Sequence, residues 1–315
     1  MSYSFYLPEK LTMKRIYKEG QPHHVFSKGV GGNIIYYTIA DCLYYTTLYS
    51  CYAKKYEIRT LSFSLMPNHI HSLQCATTEN DFLRFNQELI SHFTTAYNRR
   101  HERSGTLFQK PFGSAPKIVG KQIRSCFSYI NNNASVGGLS KSILDYRWNL
   151  IAYLKDTNPF SSRISLDRAS TSLRRSLKLV DFYHSCQTPL EYEALDIVFS
   201  KLSQKEKSMV IDYILSRYEV LDGNGLDEYF GSFSKAMTAM EANSGSEHDI
   251  KEDWENYSEY SELSRIAKEE GICLDRVNFE SMPTEEKIRL ANTMLSRSGA
   301  TKRQIQKFLH FKSGD

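Results

Sequence analysis

The 315-residue chain is 41% hydrophobic, enough for a sizeable core, and no apolar run nears the roughly 20 residues needed to cross a bilayer, which excludes a helical membrane protein. Its six cysteines (Cys42, Cys51, Cys75, Cys126, Cys186, Cys273) lie far apart with no C-x-x-C pair, which excludes a zinc ribbon and a disulfide framework and suits a reducing, cytoplasmic setting. The first 150 residues carry 18 Lys+Arg against 9 Asp+Glu, a net of +9, and the remainder 22 against 27, a net of −5, so the basic half is where a polyanion would bind.

In chain order, the first twenty residues lack the apolar h-region of a secretory signal. "HHVFSKG" (23–29) reads as a strand. Residues 39–56 read as a helix with Asp41 near its start. In 58–66, Leu61, Phe63 and Leu65 alternate with Ser62 and Ser64, the period of a strand. Pro67-Asn68 is a turn signal, and "HIHSLQC" (69–75) is the returning strand of a hairpin. Phe82, Phe85, Leu89, Phe93 and Ala96 recur every three or four residues, which predicts an amphipathic helix over 80–102. A fourth strand is expected at 112–119 and a helix at 121–133, closed by Gly137-Gly138. The order β-α-β-β-α-β-α predicts an α+β fold: a ferredoxin-like antiparallel sheet with helices on one face.

Residues 153–178 are rich in Ser and Arg and read as a linker between a first domain (1–152) and a helical extension (179–315). Ser203 and Glu206 form a capping box before the next helix, and seven acids against one lysine mark 241–260 as a mobile acidic segment. Helices at 283–297 and 301–311, with Ser298-Gly299 between them, have the spacing of a helix-turn-helix or of a small packing bundle.

The residues that carry chemistry begin with His69 and His71, which share a strand face because side chains alternate. An H-x-H pair alone is weak, since a metal site needs a third group. Tyr129 and Asn133 are four residues apart on the predicted helix and so share a face. Asn133 offers an amide oxygen suited to a hard divalent ion, and Tyr129 a phenol able to attack phosphorus. From the residues alone, Tyr129 is not distinguishable from Tyr97.

The ordered motifs Leu65-Met-Pro-Asn-His-Ile-His71, Gly105-Thr-Leu-Phe-Gln109, Tyr129-Ile-Asn-Asn-Asn133 and Tyr146-Arg-Trp148 resemble the single-tyrosine HUH transposases, and within them the REP-associated tyrosine transposase branch. The resemblance covers roughly residues 20–150. It implies an HUH endonuclease fold and a metal-dependent single-stranded DNA endonuclease and strand transferase working through a 5′-phosphotyrosine. It implies Tyr129 as nucleophile, His69, His71 and Asn133 as ligands of Mg²⁺ or Mn²⁺, and single-stranded or hairpin DNA as the partner of a monomer or homodimer. Lys28, Arg99, Arg100, Arg103, Lys110, Lys117, Lys121 and Arg124 are the candidate phosphate contacts, although cations at 99–103 also suit a helix C-terminus. His92 and Gln109 are candidate proton acceptors. The chain departs from the family where Asn133 is followed by Ala134-Ser135-Val136 and not by the usual proline, which removes a helix stop. Two further readings are a DNA-binding regulator without catalysis on the same fold, and another HUH enzyme, a replication initiator or relaxase.

Overall fold

In the computed structural model, which describes residues 16–242 and 257–311, the first half forms β1 (His23–Lys28), α1 (Ile39–Lys55), β2 (Arg59–Met66), β3 (His69–Cys75), α2 (Glu79–Arg100), β4 (Gly113–Pro116) and α3 (Gly120–Val136). The helices that follow are α4 (Thr171–Ser185), α5 (Tyr192–Phe199), α6 (Gln204–Arg217), α7 (Gly225–Phe230), α8 (Phe233–Glu241), α9 (Glu259–Glu269), α10 (Thr284–Arg297) and α11 (Lys302–Phe308). The acidic stretch expected at 241–260 falls largely outside the described residues.

The sheet is antiparallel throughout, in the order β2-β3-β1-β4, the arrangement expected of a ferredoxin-like fold. The crossover helices α1 and α2 cover one face, where Val25, Phe63, Leu65 and Ile70 meet Tyr45, Tyr49, Phe85 and Phe93. The opposite face is also covered: Leu61 and Leu73 pack beneath Ile123, Phe127 and Ile130 of α3, with α7 and α8 beyond. α1 is buried all round from Asp41 to Ser50, because the sheet takes one side and α5 and α6 take the other.

Three elements differ from the sequence reading. The helix expected to end at Asn133 runs to Val136, because no proline follows and Gly137 supplies the C-cap. β4 stops at Pro116, which has no N–H to continue a ladder. The stretch expected as a linker to residue 178 contains the start of α4: Ser170 caps the helix, and Leu173, Leu177 and Val180 form a buried stripe at helical spacing among the serines and arginines. Helices α4 to α6 share one hydrophobic core with α1 and α2, so residue 152 does not separate two cores. α9, α10 and α11 form a second cluster that closes on Ile34, Met66, Ala134 and Tyr146. Within the Tyr-Arg-Trp motif, the Tyr146 hydroxyl donates to Leu65 O (2.6 Å), and Arg147 pairs with the buried Asp212 of α6 (3.1 Å), tying the hairpin to the helical half.

Candidate active site

β3 alternates as expected. Ile70, Ser72 and Gln74 face α1 and α2, where Gln74 and Asn86 exchange an amide hydrogen bond (3.0 Å), while His69, His71 and Leu73 face α3. The His69 and His71 rings lie 4.8 Å apart, centroid to centroid. β1 pairs antiparallel with β3, setting Phe26 opposite His71 and Lys28 opposite His69. That register brings His24 to the same face, with Nε2 3.0 Å from His71 Nδ1.

The Tyr129 ring packs edge-on against both imidazoles, 5.3 Å from His71 and 5.6 Å from His24. α3 presents it there because Ile123, Cys126, Phe127 and Ile130 anchor the helix to the sheet. The three consecutive asparagines point three ways, as 100° steps require. Asn131 Nδ2 donates to Ser62 Oγ (3.0 Å) on the sheet, and Asn132 Nδ2 to Met240 O (2.8 Å) on α8. Asn133 lies one turn beyond Tyr129, buried, and its Nδ2 makes no hydrogen bond among the described residues. The site is closed: His24, His69, His71, Tyr129 and Asn133 are each at most 3% exposed.

The tautomer of His69 follows from its neighbour. Asn68 Nδ2 donates to Gly32 O (2.8 Å), which turns Asn68 Oδ1 toward His69 Nδ1 (2.6 Å). A carboxamide oxygen only accepts, so the proton sits on Nδ1, and neutral His69 keeps its lone pair on Nε2. This is the state of a metal-ligating imidazole held by an outer hydrogen bond. One proton likewise lies between His71 Nδ1 and His24 Nε2, and when His71 holds it, His71 Nε2 bears a lone pair. The donor set of two imidazoles, with the Asn133 amide on the facing helix, therefore fits a divalent ion. Among the described residues no group of three His, Cys, Asp or Glu side chains has metal-binding geometry, so an ion here depends on the amide.

Two residues of the site were not singled out by sequence reasoning. His24 was legible only as part of a strand, and the period of two that placed His69 with His71 places His24, Phe26 and Lys28 together once the pairing is known. Tyr257 lies at the start of the second described stretch, 257–311. Its N–H donates to Gly137 O (2.7 Å) and its ring lies 6.1 Å from that of His69, roofing the site. No sequence signal marked it.

The candidate phosphate contacts are scattered. Arg99 pairs with Glu191 (3.3 Å), Arg100 with Asp196 (2.7 Å) and Arg103 with Glu280 (2.6 Å), so this cluster clamps α2 to the helical half. Lys117 is buried and does not present a surface charge as expected; its N–H joins Pro22 O (2.7 Å) where β4 ends. Lys110, Lys121 and Arg124 are exposed, the last two on the first turns of α3, and Lys28 is half-buried at the end of β1. His92 bonds the Tyr52 hydroxyl on the far side of the sheet from Tyr129, which removes it as a proton acceptor. Gln109 is exposed, its N–H held by Lys28 O (2.8 Å).

No protein-family model and no curated protein matches the chain. One solved structure does, a REP-associated tyrosine transposase bound to a REP hairpin, at 17% identity and a TM-score of 0.38, over 46% of this chain and 81% of that one. No helix among the described residues is long and apolar enough to cross a membrane.

Proposed function

We propose that the protein is a metal-dependent single-stranded DNA endonuclease and strand transferase of the REP-associated tyrosine transposase kind, acting at hairpin or palindromic repeat DNA. The observation that carries this reading is the packing of Tyr129 against the His24–His71 pair, beside His69 and one turn from Asn133. A sheet that needed only core filling would have no use for three imidazoles, a phenol and an amide on one buried face.

His69, His71 and Asn133 would hold the ion, which when bound supplies Lewis-acid polarisation of a phosphoryl oxygen. Asn68 keeps His69 in the ligating tautomer, and His71 is in the ligating tautomer when it, and not His24, holds the shared proton. Tyr129 Oη attacks the scissile phosphorus as the P–O3′ bond breaks, leaving a 5′-phosphotyrosine and a 3′-hydroxyl. A phenol with an ordinary pKa of about 10 must lose its proton in that step. That proton passes to solvent, and the departing 3′-oxygen takes up a proton in turn. Attack by a second 3′-hydroxyl on the phosphotyrosine reverses the chemistry and joins new ends.

Incubation with a labelled hairpin-bearing single strand and Mn²⁺ should give an adduct that survives denaturation and is absent from Tyr129→Phe. An adduct that persists in Tyr129→Phe would sink the assignment. The burial of Tyr129 favours a second reading, a DNA-binding regulator on the same fold, which forms no adduct at all.

A further inference from the structure

The proposed chemistry leaves one side chain of the Tyr-Arg-Trp motif without a task. Tyr146 is tied to Leu65 O and Arg147 to Asp212, whereas Trp148 stacks on no second ring, and its indole N–H meets no acceptor, among the described residues. Trp148 is half-buried and packs against both large hydrophobic clusters, so the indole is held firmly at their seam. It lines a cleft of about 720 Å³, within the range of sites that hold small ligands. The walls of this cleft are the first residues of α1, the end of α5 and the start of α6, with the exposed Lys268 of α9 and Asp275 at its rim. Phe199 lines it too and likewise meets no other ring among the described residues, and the buried Leu195 and Ile211 form an apolar floor.

Lys207 and Lys268 line the same cleft and make no ion pair and no side-chain hydrogen bond among the described residues. The Gln204 carboxamide, also in the lining, is uncommitted in the same sense and offers a donor and an acceptor side by side. The two lining acids, Asp196 and Asp275, lie against Arg100: its guanidinium grips the Asp196 carboxylate (2.7 and 3.0 Å), and its Nε donates to Asp275 O (3.0 Å). Arg147 is paired with the buried Asp212 (3.1 Å). Three cations, Arg100, Lys207 and Lys268, therefore stand against two acids, and the cleft is left net positive. Two rings, an amide and two amines around one such cavity match a ligand that has both a flat aromatic face and an anionic group. A nucleotide has both. An acidic peptide would leave the rings unused, and a neutral aromatic would leave the lysines unused.

We infer that this cleft takes one nucleotide of a single DNA strand, its base against Trp148 and its phosphate between Lys207 and Lys268. That the ligand is DNA rests on the function proposed above. That the strand is single follows from the ring, because only an unpaired, unstacked base has a face to offer an indole. Leu195 and Ile211 belong to the core on the α1 side of the sheet, whereas Tyr129 lies on the α3 side, so the nucleotide held here is not the one at the candidate nucleophile.

Trp148 and Trp254 are the two tryptophans of the chain, so in Trp254→Phe the emission comes from Trp148 alone and reads the cleft without altering it. The test titrates this full-length variant, at several salt concentrations, with a 12-nucleotide oligothymidylate, an abasic strand of equal length, a duplex of equal length, thymidine monophosphate and an oligoglutamate peptide. The oligothymidylate should quench most of the Trp148 emission, and the other four should leave it unchanged at the same concentration. Each lost contact to a single strand lowers the slope of log K against log salt by about 0.7, so Lys207→Ala/Lys268→Ala should lower the slope of that quenching by about 1.4. Lys178→Ala, exposed on α4 and outside the cleft, should leave the slope unchanged. Emission unmoved by the oligothymidylate overturns the inference, as does an unchanged slope in the double lysine variant. Equal quenching by the abasic strand, the duplex or the peptide overturns it too, and equal quenching by thymidine monophosphate gives the cleft to a free nucleotide in place of a strand. The Tyr129 adduct separates the two proposals. An adduct with a silent Trp148 defeats the cleft alone, and a quenched Trp148 without an adduct upholds the cleft and defeats the nuclease.

Discussion

Gly113→Ala tests how tightly the sheet holds the candidate nucleophile's surroundings. Gly113 on β4, Phe26 on β1 and His71 on β3 form one cross-strand row. The Phe26 ring lies over the glycine: a Cβ there would stand 2.6 and 2.8 Å from Phe26 Cε2 and Cε1, and closer still to Cζ. Ordinary carbon contacts are about 3.5–4.0 Å, so the ring must retreat by about 1 Å. The row leaves it His71 as its neighbour on the other side, 6.4 Å away, with His24 at 5.9 Å. Gly113 is not in the left-handed region, so alanine fits the backbone and the effect is steric. Overpacking of this kind costs about 1–3 kcal/mol, offset by about 0.5–1 kcal/mol from the reduced freedom of the unfolded chain, a net loss of about 0–2.5 kcal/mol. A displacement of about 1 Å in a reacting constellation lowers rate by about 100-fold. Urea unfolding reads the first quantity and the rate of adduct formation the second. Phe26→Leu should relieve Gly113→Ala, with a coupling energy of about 1–2 kcal/mol. Additivity of the two substitutions within about 0.5 kcal/mol, together with an adduct rate equal to that of the unmodified protein, would refute the row as a mechanical link.

Two other outcomes follow from the charges and ligands. Glu280 is held at about 2 by His310 and Arg103, below its unfolded value, so its stabilisation is complete above about pH 4.5 and is lost as pH falls toward 2. The gap in urea midpoint between the unmodified protein and Glu280→Gln should therefore close on acidification from pH 5 to pH 3, and a gap that widens contradicts the assignment; partial exposure of the side chain keeps the effect small. Mn²⁺ at about 100 times its dissociation constant should stabilise the protein by about 2.7 kcal/mol and do nothing for His69→Ala/His71→Ala, whereas equal stabilisation of both would place the ion elsewhere.

The sheet was legible because period-two alternation in "HIHSLQC" and period-3.6 recurrence from Phe82 to Ala96 are local signals that tertiary packing reinforced, whereas a register shift between Thr60 and Ser62 turns Leu61 to the face opposite Phe63 and Leu65. His69 and His71 could be paired because their spacing alone fixes a shared face. His24 could not, since its place beside His71 depends on the β1–β3 register, a long-range fact that no local period encodes. The arginines at 99–103 were misleading for a related reason. Their charge suggested a polyanion, but their partners Glu191, Asp196 and Glu280 lie about 90 to 180 residues away, so they are spent on internal pairing. α4 was hidden because Leu173, Leu177 and Val180 are few among serines and arginines, and only their spacing, not their number, marks a helix.

The closure of the site bears on how any measured rate is to be read. In-line attack requires phosphorus within about 3–3.5 Å of the phenol oxygen, and a polymer cannot reach a Tyr129 that is 2% exposed. In the proposed nuclease reaction an opening step would have to precede chemistry, and its rate would scale with the open fraction. Moving α3 would carry Tyr129 and Asn133 away from the histidines and dissolve the site. Moving α9 to α11 would leave it intact, and their hold on the face of the candidate site includes Tyr257, through Gly137 O and the contact with His69. Tyr257→Leu keeps an apolar side chain against Met66 and Ala134 while removing the ring that roofs His69. It should raise the rate of adduct formation about tenfold, equivalent to about 1.4 kcal/mol of opening free energy, without changing the dependence on Tyr129. If Tyr257→Leu makes no adduct while it still binds the hairpin strand, lack of access no longer accounts for inactivity, and the regulator reading displaces the nuclease.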